Sequence, residues 1–265
     1  MSRRSALQGL IEQGKVWPAT RRDASKADPG LCQTGHRELD DLLGGGLPRQ
    51  GLIEILSDGP GLGESRLLKP LWQAVASRGH WHVCICPPCL PYAPNLQASG
   101  LDPARWLLVH ARSDAECLWA MEQSLRSGAC ASLMAWPRKI DMTALRRLQL
   151  LAQEQRVPVV LLRPDQQRQQ ASPAVLRLCL KPQAEHAQAW QANGFSGQRG
   201  NTVVEVLKSR GGRPHRSVTL DLFDRSGGHG WLEQTVAQPD SLRHSPALPL
   251  SLASGIFQEA AALRH

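Results

Sequence analysis

The sequence predicts an α/β fold: a mostly parallel sheet flanked by helices, with antiparallel strands at the C-terminal end of the core. Three observations predict it. Short apolar runs alternate with helical-period segments from about residue 39 to residue 180. The runs are short and apolar throughout, as in strands covered on both faces. The last runs follow one another without intervening helices, which turns the end of the sheet antiparallel.

Leu39, Leu42 and Leu43 form a short helical stripe that stops at Gly44-Gly45-Gly46. Residues 52–56 (LIEIL) read as a buried strand, and 58–63 as a Gly/Pro loop. Leu67, Leu68, Leu71 and Val75 predict a helix over 64–77. A strand over 80–86 is followed by an irregular stretch at 87–94. Strands at 106–110, 131–136 and 158–162 alternate with helices at 115–127 and 142–155. A polar, Gln-rich loop at 164–172 precedes strands at 176–180, 202–207 and 217–222.

Three regions result. Residues 1–30 are an amphipathic helix and linker, 31–232 the core, and 233–265 a Pro/Ser-rich tail with a short helix. The length of 265 residues suits one sizeable domain with tails, and an apolar content of 42% argues against wholesale disorder. No apolar targeting core and no membrane-length apolar run is seen, so a cytoplasmic location with seven reduced cysteines is expected. The net charge of +8 suits a polyanionic partner or an acidic protein surface, and equally a merely solvated basic surface.

The loop after the first core strand carries the sharpest signal. A phosphate loop joins a strand to a helix with the pattern G-x-x-x-x-G-K-[ST]. Its amides cradle phosphate, its Lys neutralises charge and its hydroxyl holds Mg²⁺. Here the stretch reads Asp58-Gly59-Pro60-Gly61-Leu62-Gly63-Glu64-Ser65. Gly63 and Ser65 fit, but Asp58 replaces the first Gly and Glu64 replaces the Lys. A carboxylate there repels a triphosphate, and losing one charge-assisted contact of about 2 kcal/mol weakens binding more than tenfold. The alternatives are an ordinary Gly-rich turn and a working nucleotide site using Arg66 or Lys69 as substitute cation. The expectation is no ATP binding and no cofactor.

The stretch Thr34-Gly35-His36-Arg37-Glu38-Leu39-Asp40-Asp41-Leu42-Leu43-Gly44-Gly45-Gly46-Leu47-Pro48 resembles the opening of RecA-family cores. The degenerate loop and the hairpin from Val203 to Pro214 look most like the ImuA family, RecA-like proteins associated with inducible mutagenic translesion DNA synthesis. The resemblance covers roughly 34–225. It implies that a catalytic Glu would fall near Pro88, a strand-end Asp at Trp136 and a glutamine switch near Arg163; none is present. The first DNA loop would fall at 136–140 and the second at about 165–172, both short.

The resemblance implies a non-catalytic accessory protein of the SOS response. Its partners would be an ImuB-like polymerase-family protein, an error-prone replicative-type polymerase subunit, and RecA. A second reading is a cell-division inhibitor resembling SulA, also RecA-like, which binds the tubulin-like division protein. A third is a RecA-like DNA-dependent ATPase.

Nine Lys/Arg against three acids lie in 137–181. Arg138, Lys139, Arg146, Arg147, Arg163 and Arg168, with Lys208, Arg210, Arg213 and Arg216 of the hairpin, are candidate contacts to DNA phosphates or an acidic partner. Leu7, Leu10, Ile11 and Trp17, and Leu252 and Ile256, are candidate partner-docking positions or packing of the chain on itself. His80, His82, Cys84 and Cys86 alternate on one predicted strand face, with Cys89 following. Same-face neighbours on one strand rarely close a tetrahedron, and Cys is a common buried hydrophobe, so no metal site is assigned. No catalytic triad is predicted.

Overall fold

The computed structural model describes residues 29–77, 79–183 and 201–222. The predicted N-terminal helix and C-terminal tail lie outside these residues.

Chain order begins with β1 (Leu31–Cys32), α1 (Arg37–Leu43), β2 (Leu47–Pro48), β3 (Gly51–Ser57), α2 (Glu64–Val75) and β4 (Trp81–Ile85). It continues through α3 (Ala93–Ala98), β5 (Trp106–Val109), α4 (Asp114–Arg126), β6 (Cys130–Ala135), α5 (Met142–Glu154) and β7 (Pro158–Pro164). It ends with β8 (Leu176–Pro182), β9 (Thr202–Ser209) and β10 (Arg216–Leu220).

Eight strands form one sheet in the order β10-β9-β8-β3-β7-β6-β4-β5. The pairs from β8 to β5 are parallel, while β8–β9 and β9–β10 are antiparallel. This is the α/β architecture expected, with β3 in the interior of the sheet. Alternate strand positions feed two cores. Ile53, Ile55, Cys84, Met134 and Leu178 pack with Leu39, Leu43, Leu67, Leu71 and Trp72 of α1 and α2. Leu52, Val83, Leu133 and Leu161 pack with Cys117, Met121, Leu145 and Leu148 of α4 and α5. The sheet is thus covered by helices on both faces, which is why its central strands are apolar throughout.

Two local features escape the periodicity. The stretch expected to be irregular contains the start of α3, whose Pro94 sits in the first turn, where a missing N–H costs no intrahelical bond. β1 and β2 pair antiparallel, Leu31 opposite Pro48 and Cys32 opposite Leu47. Two-residue strands are too short to show a period.

The opening motif and the C-terminal hairpin are bound to each other. The last carbonyls of α1 accept from the hairpin: Leu42 from the Arg213 N–H at 2.8 Å, and Leu43 from the Ser209 hydroxyl at 3.1 Å. Thr34 N–H donates to the Asp40 carboxylate at 2.8 Å, fixing the entry to α1. No helix among the described residues is long and apolar enough to cross a membrane.

Candidate functional site

The loop between β3 and α2 is built around Glu64. Its side chain turns back to the loop, and Oε2 accepts the backbone N–H of Gly61 at 3.1 Å and of Leu62 at 3.0 Å. The amides of Gly63 and Glu64 itself also favour the charged form, but burial outweighs all four and pushes the carboxyl above the usual carboxylate range. Oε1 is buried without a hydrogen-bond partner among the described residues. The donors that would face a phosphate therefore face a carboxylate of the same chain.

Neighbouring elements cover this loop. Thr202 at the start of β9 donates its hydroxyl to the Leu62 carbonyl at 2.9 Å. Gly63 has φ of 87°, and a Cβ built there would lie 2.5 Å from Leu222 Cβ. Gly63 is thus required twice, by its left-handed backbone and by the side chain against it. Asp58 is exposed, Gly59, Gly61 and Ser65 are half-buried, and Gly63 and Glu64 are buried.

Within the sheet, against the segment after β7, lies a buried charge network that residue spacing does not reveal. Glu54 of β3 is 0% exposed and is paired with Arg163 of β7 and with Arg177 of β8, whose Nε lies 2.7 Å from Oε2. Arg177 is the register partner of Glu54 on the adjacent strand. The guanidiniums spend their remaining donors on the loop after β7. Arg163 reaches the Gln170 side chain at 2.9 Å, and Arg177 reaches the carbonyls of Gln167 at 3.0 Å and Arg168 at 3.3 Å. A lone acid inside an apolar strand was the available signal, since a fully buried carboxylate requires a paired cation.

This placement corrects the basic set. Arg163 is 5% exposed and internal, so it does not belong to the surface group. Arg168 is half-buried and ion-paired to Glu205. Arg147 is exposed and shares Glu122 with Arg126. Arg138, Lys139, Arg146, Arg210, Arg213 and Arg216 are exposed. Lys208 is exposed and donates to the Ser172 carbonyl at 2.8 Å.

The His/Cys set expected on one strand face is dispersed. His80 precedes β4 and bonds Ser77 at 2.9 Å. His82 is buried, bonds the Ser132 hydroxyl at 2.7 Å through Nδ1, and stacks on Trp106 with centroids 5.0 Å apart. Burial lowers its pKa to about 4. Cys84 belongs to the core on the α2 side, whereas Cys86, at φ of 52°, packs with the core on the α4 side. Among the described residues no three His, Cys, Asp or Glu side chains are grouped to hold a metal ion. Leu7, Leu10, Ile11, Trp17, Leu252 and Ile256 lie outside the described residues.

These features define a mostly parallel α/β protein with a carboxylate-filled strand–loop–helix unit on an interior strand of its sheet. No family model matches the chain. The chain is similar to protein ImuA of Caulobacter vibrioides, in strain NA1000 / CB15N and in strain ATCC 19089 / CIP 103742 / CB 15. The identity in each case is 33% over 116 residues, covering 42% of this chain and 48% of the relative. The chain therefore matches about half the length of these curated relatives. The similarity supports, modestly, the ImuA-like resemblance of the sequence.

Proposed function

We propose that the protein is a non-catalytic accessory factor of mutagenic translesion DNA synthesis that works by binding other macromolecules. The similarity to protein ImuA over 116 residues is the observation that carries this reading. On it, the partners are an ImuB-like polymerase-family protein, an error-prone replicative-type polymerase subunit and RecA. The Glu64 carboxyl on the loop amides supports the absence of ATP turnover, because a nucleotide phosphate would have to displace a buried side chain that already uses those donors. The exposed cations Arg138, Lys139, Arg146, Arg210, Arg213 and Arg216 support a non-specific phosphate-contacting role.

Affinity capture of the full chain from DNA-damaged cells, read by mass spectrometry, tests the reading. Recovery of polymerase-family proteins is the expected result. Recovery of the tubulin-like division protein without any polymerase partner would sink it. For DNA, a salt titration of duplex binding should give a steep negative slope that Arg210→Glu with Arg213→Glu makes shallower.

A further inference from the structure

The residue that leaves the β4 face, Cys86, reaches a second thiol. β4 ends at Ile85, and the positive φ of Cys86, 52°, turns its side chain away from the Cys84 side of the sheet and onto α4. There its sulfur accepts the Ala111 N–H at 3.3 Å and packs against the core cluster that holds Cys117, near enough for each thiol to shift the other's pKa. Cys117 lies in the first half of α4, 4% exposed, while Cys86 is half-buried and reachable from solvent. Positive φ is strained for a residue with a Cβ, and such strain persists only where the surroundings hold it.

We propose that Cys86 is a peroxide-reactive thiol and Cys117 its resolving partner. The Cys86 thiolate attacks a hydroperoxide oxygen; the O–O bond breaks, the sulfur is oxidised to sulfenic acid, and with hydrogen peroxide one proton is taken up as water leaves. The Cys117 sulfur then attacks Cys86, its proton leaves with the displaced hydroxide as a second water, and an S–S bond forms. The oxidant is a hydroperoxide. The resulting bond ties the end of β4 to α4.

The surroundings support this assignment. Hydrogen bonding from Cys117 is the main cause that lowers the Cys86 pKa, against burial, with the Ala111 amide and the Arg138 cation adding and Asp114 opposing. The other six thiols are all shifted the opposite way: Cys32, Cys84, Cys89, Cys130 and Cys179 chiefly by burial, Cys117 chiefly by its bond to Cys86. A thiolate, not a thiol, is the nucleophile, so selectivity should favour Cys86.

The test is hydrogen peroxide treatment of the full chain followed by peptide mapping. A Cys86–Cys117 disulfide is expected, with Cys84, Cys130 and Cys179 still reduced. Cys117→Ala should accumulate a sulfenic acid at Cys86 that dimedone captures, and Cys86→Ser should abolish both products. In the untreated wild type at neutral pH, iodoacetamide should label Cys86 roughly tenfold faster than Cys89. Wild-type protein in which Cys86 and Cys117 stay reduced, or in which Cys86 links to Cys89 instead, overturns the proposal without reliance on any variant.

Discussion

The Glu64 carboxylate accepts the backbone N–H of Leu62 at 3.0 Å, two residues back along its own chain. A residue that replaces the loop lysine does more than remove a positive charge. It supplies the acceptor that the loop amides bind.

Titration of MgATP into the full chain should therefore give no binding heat. Glu64→Lys alone should give none either, because Leu222 remains packed on Gly63. Tight nucleotide binding by Glu64→Lys would show that the loop keeps a phosphate-shaped cavity. The raised pKa of Glu64 also has a sign. Between the ordinary glutamate value of 4.5 and the higher folded value, the native state holds a proton that the unfolded state has lost. Stability attributable to Glu64 thus falls as pH rises through that window, and denaturation curves of Glu64→Gln should lack this slope.

Glu54 holds two guanidiniums in the sheet interior. Glu54→Ala leaves both buried without their counter-charge and should cost about 3–5 kcal/mol in denaturant unfolding. Arg163→Met should cost less, since Arg177 still pairs with the carboxylate. Both changes release an anchor of the loop at 165–172, so limited proteolysis there should accelerate. Equal stability of Glu54→Ala and wild type would contradict the network's role.

His82 is held neutral by burial, with its pKa lowered to about 4 from 6.5. The unfolded state gains a proton first as pH falls, so stability is lost between 6.5 and about 4. His82→Gln should flatten the acid limb of a Tm-versus-pH curve across that window. An unchanged limb would place the acid sensitivity elsewhere.

Gly46 tests the small β1–β2 pair. Its φ is 130°, and an added Cβ would lie 2.1 Å from the Cys32 carbonyl oxygen. Gly46→Ala should lose on the order of 2–4 kcal/mol through backbone strain and displacement of β1. Gly35→Ala, at φ of 86° but with nothing within 4 Å, carries strain without the clash and should cost less. Similar unfolding midpoints for the two would show that β1 yields freely.

Much of the framework was legible because it is local. The stripe Leu67, Leu68, Leu71 and Val75 that packs toward the sheet follows helical spacing, and β3 and β7 are short, largely apolar runs between turn residues. The loss of the loop lysine could be read from one position. That Glu64 fills the cradle could not, because sequence separation alone does not say which way a side chain turns.

The sequence by itself determined the strand–helix alternation, the antiparallel end of the sheet and the chemical types at the loop, since these follow from short-range periodicity and residue chemistry. The tertiary structure alone decided which charges are internal. Arg163 looked like a member of a basic surface until parallel pairing of β3 with β7 and β8 brought it, with Arg177, to Glu54, over 100 residues away along the chain. It likewise took Cys86 from the predicted strand face and set it against the core cluster that holds Cys117. The physical reason is the same in both cases: partner choice for a buried polar group is made across strands and between layers, where distance along the chain carries no information.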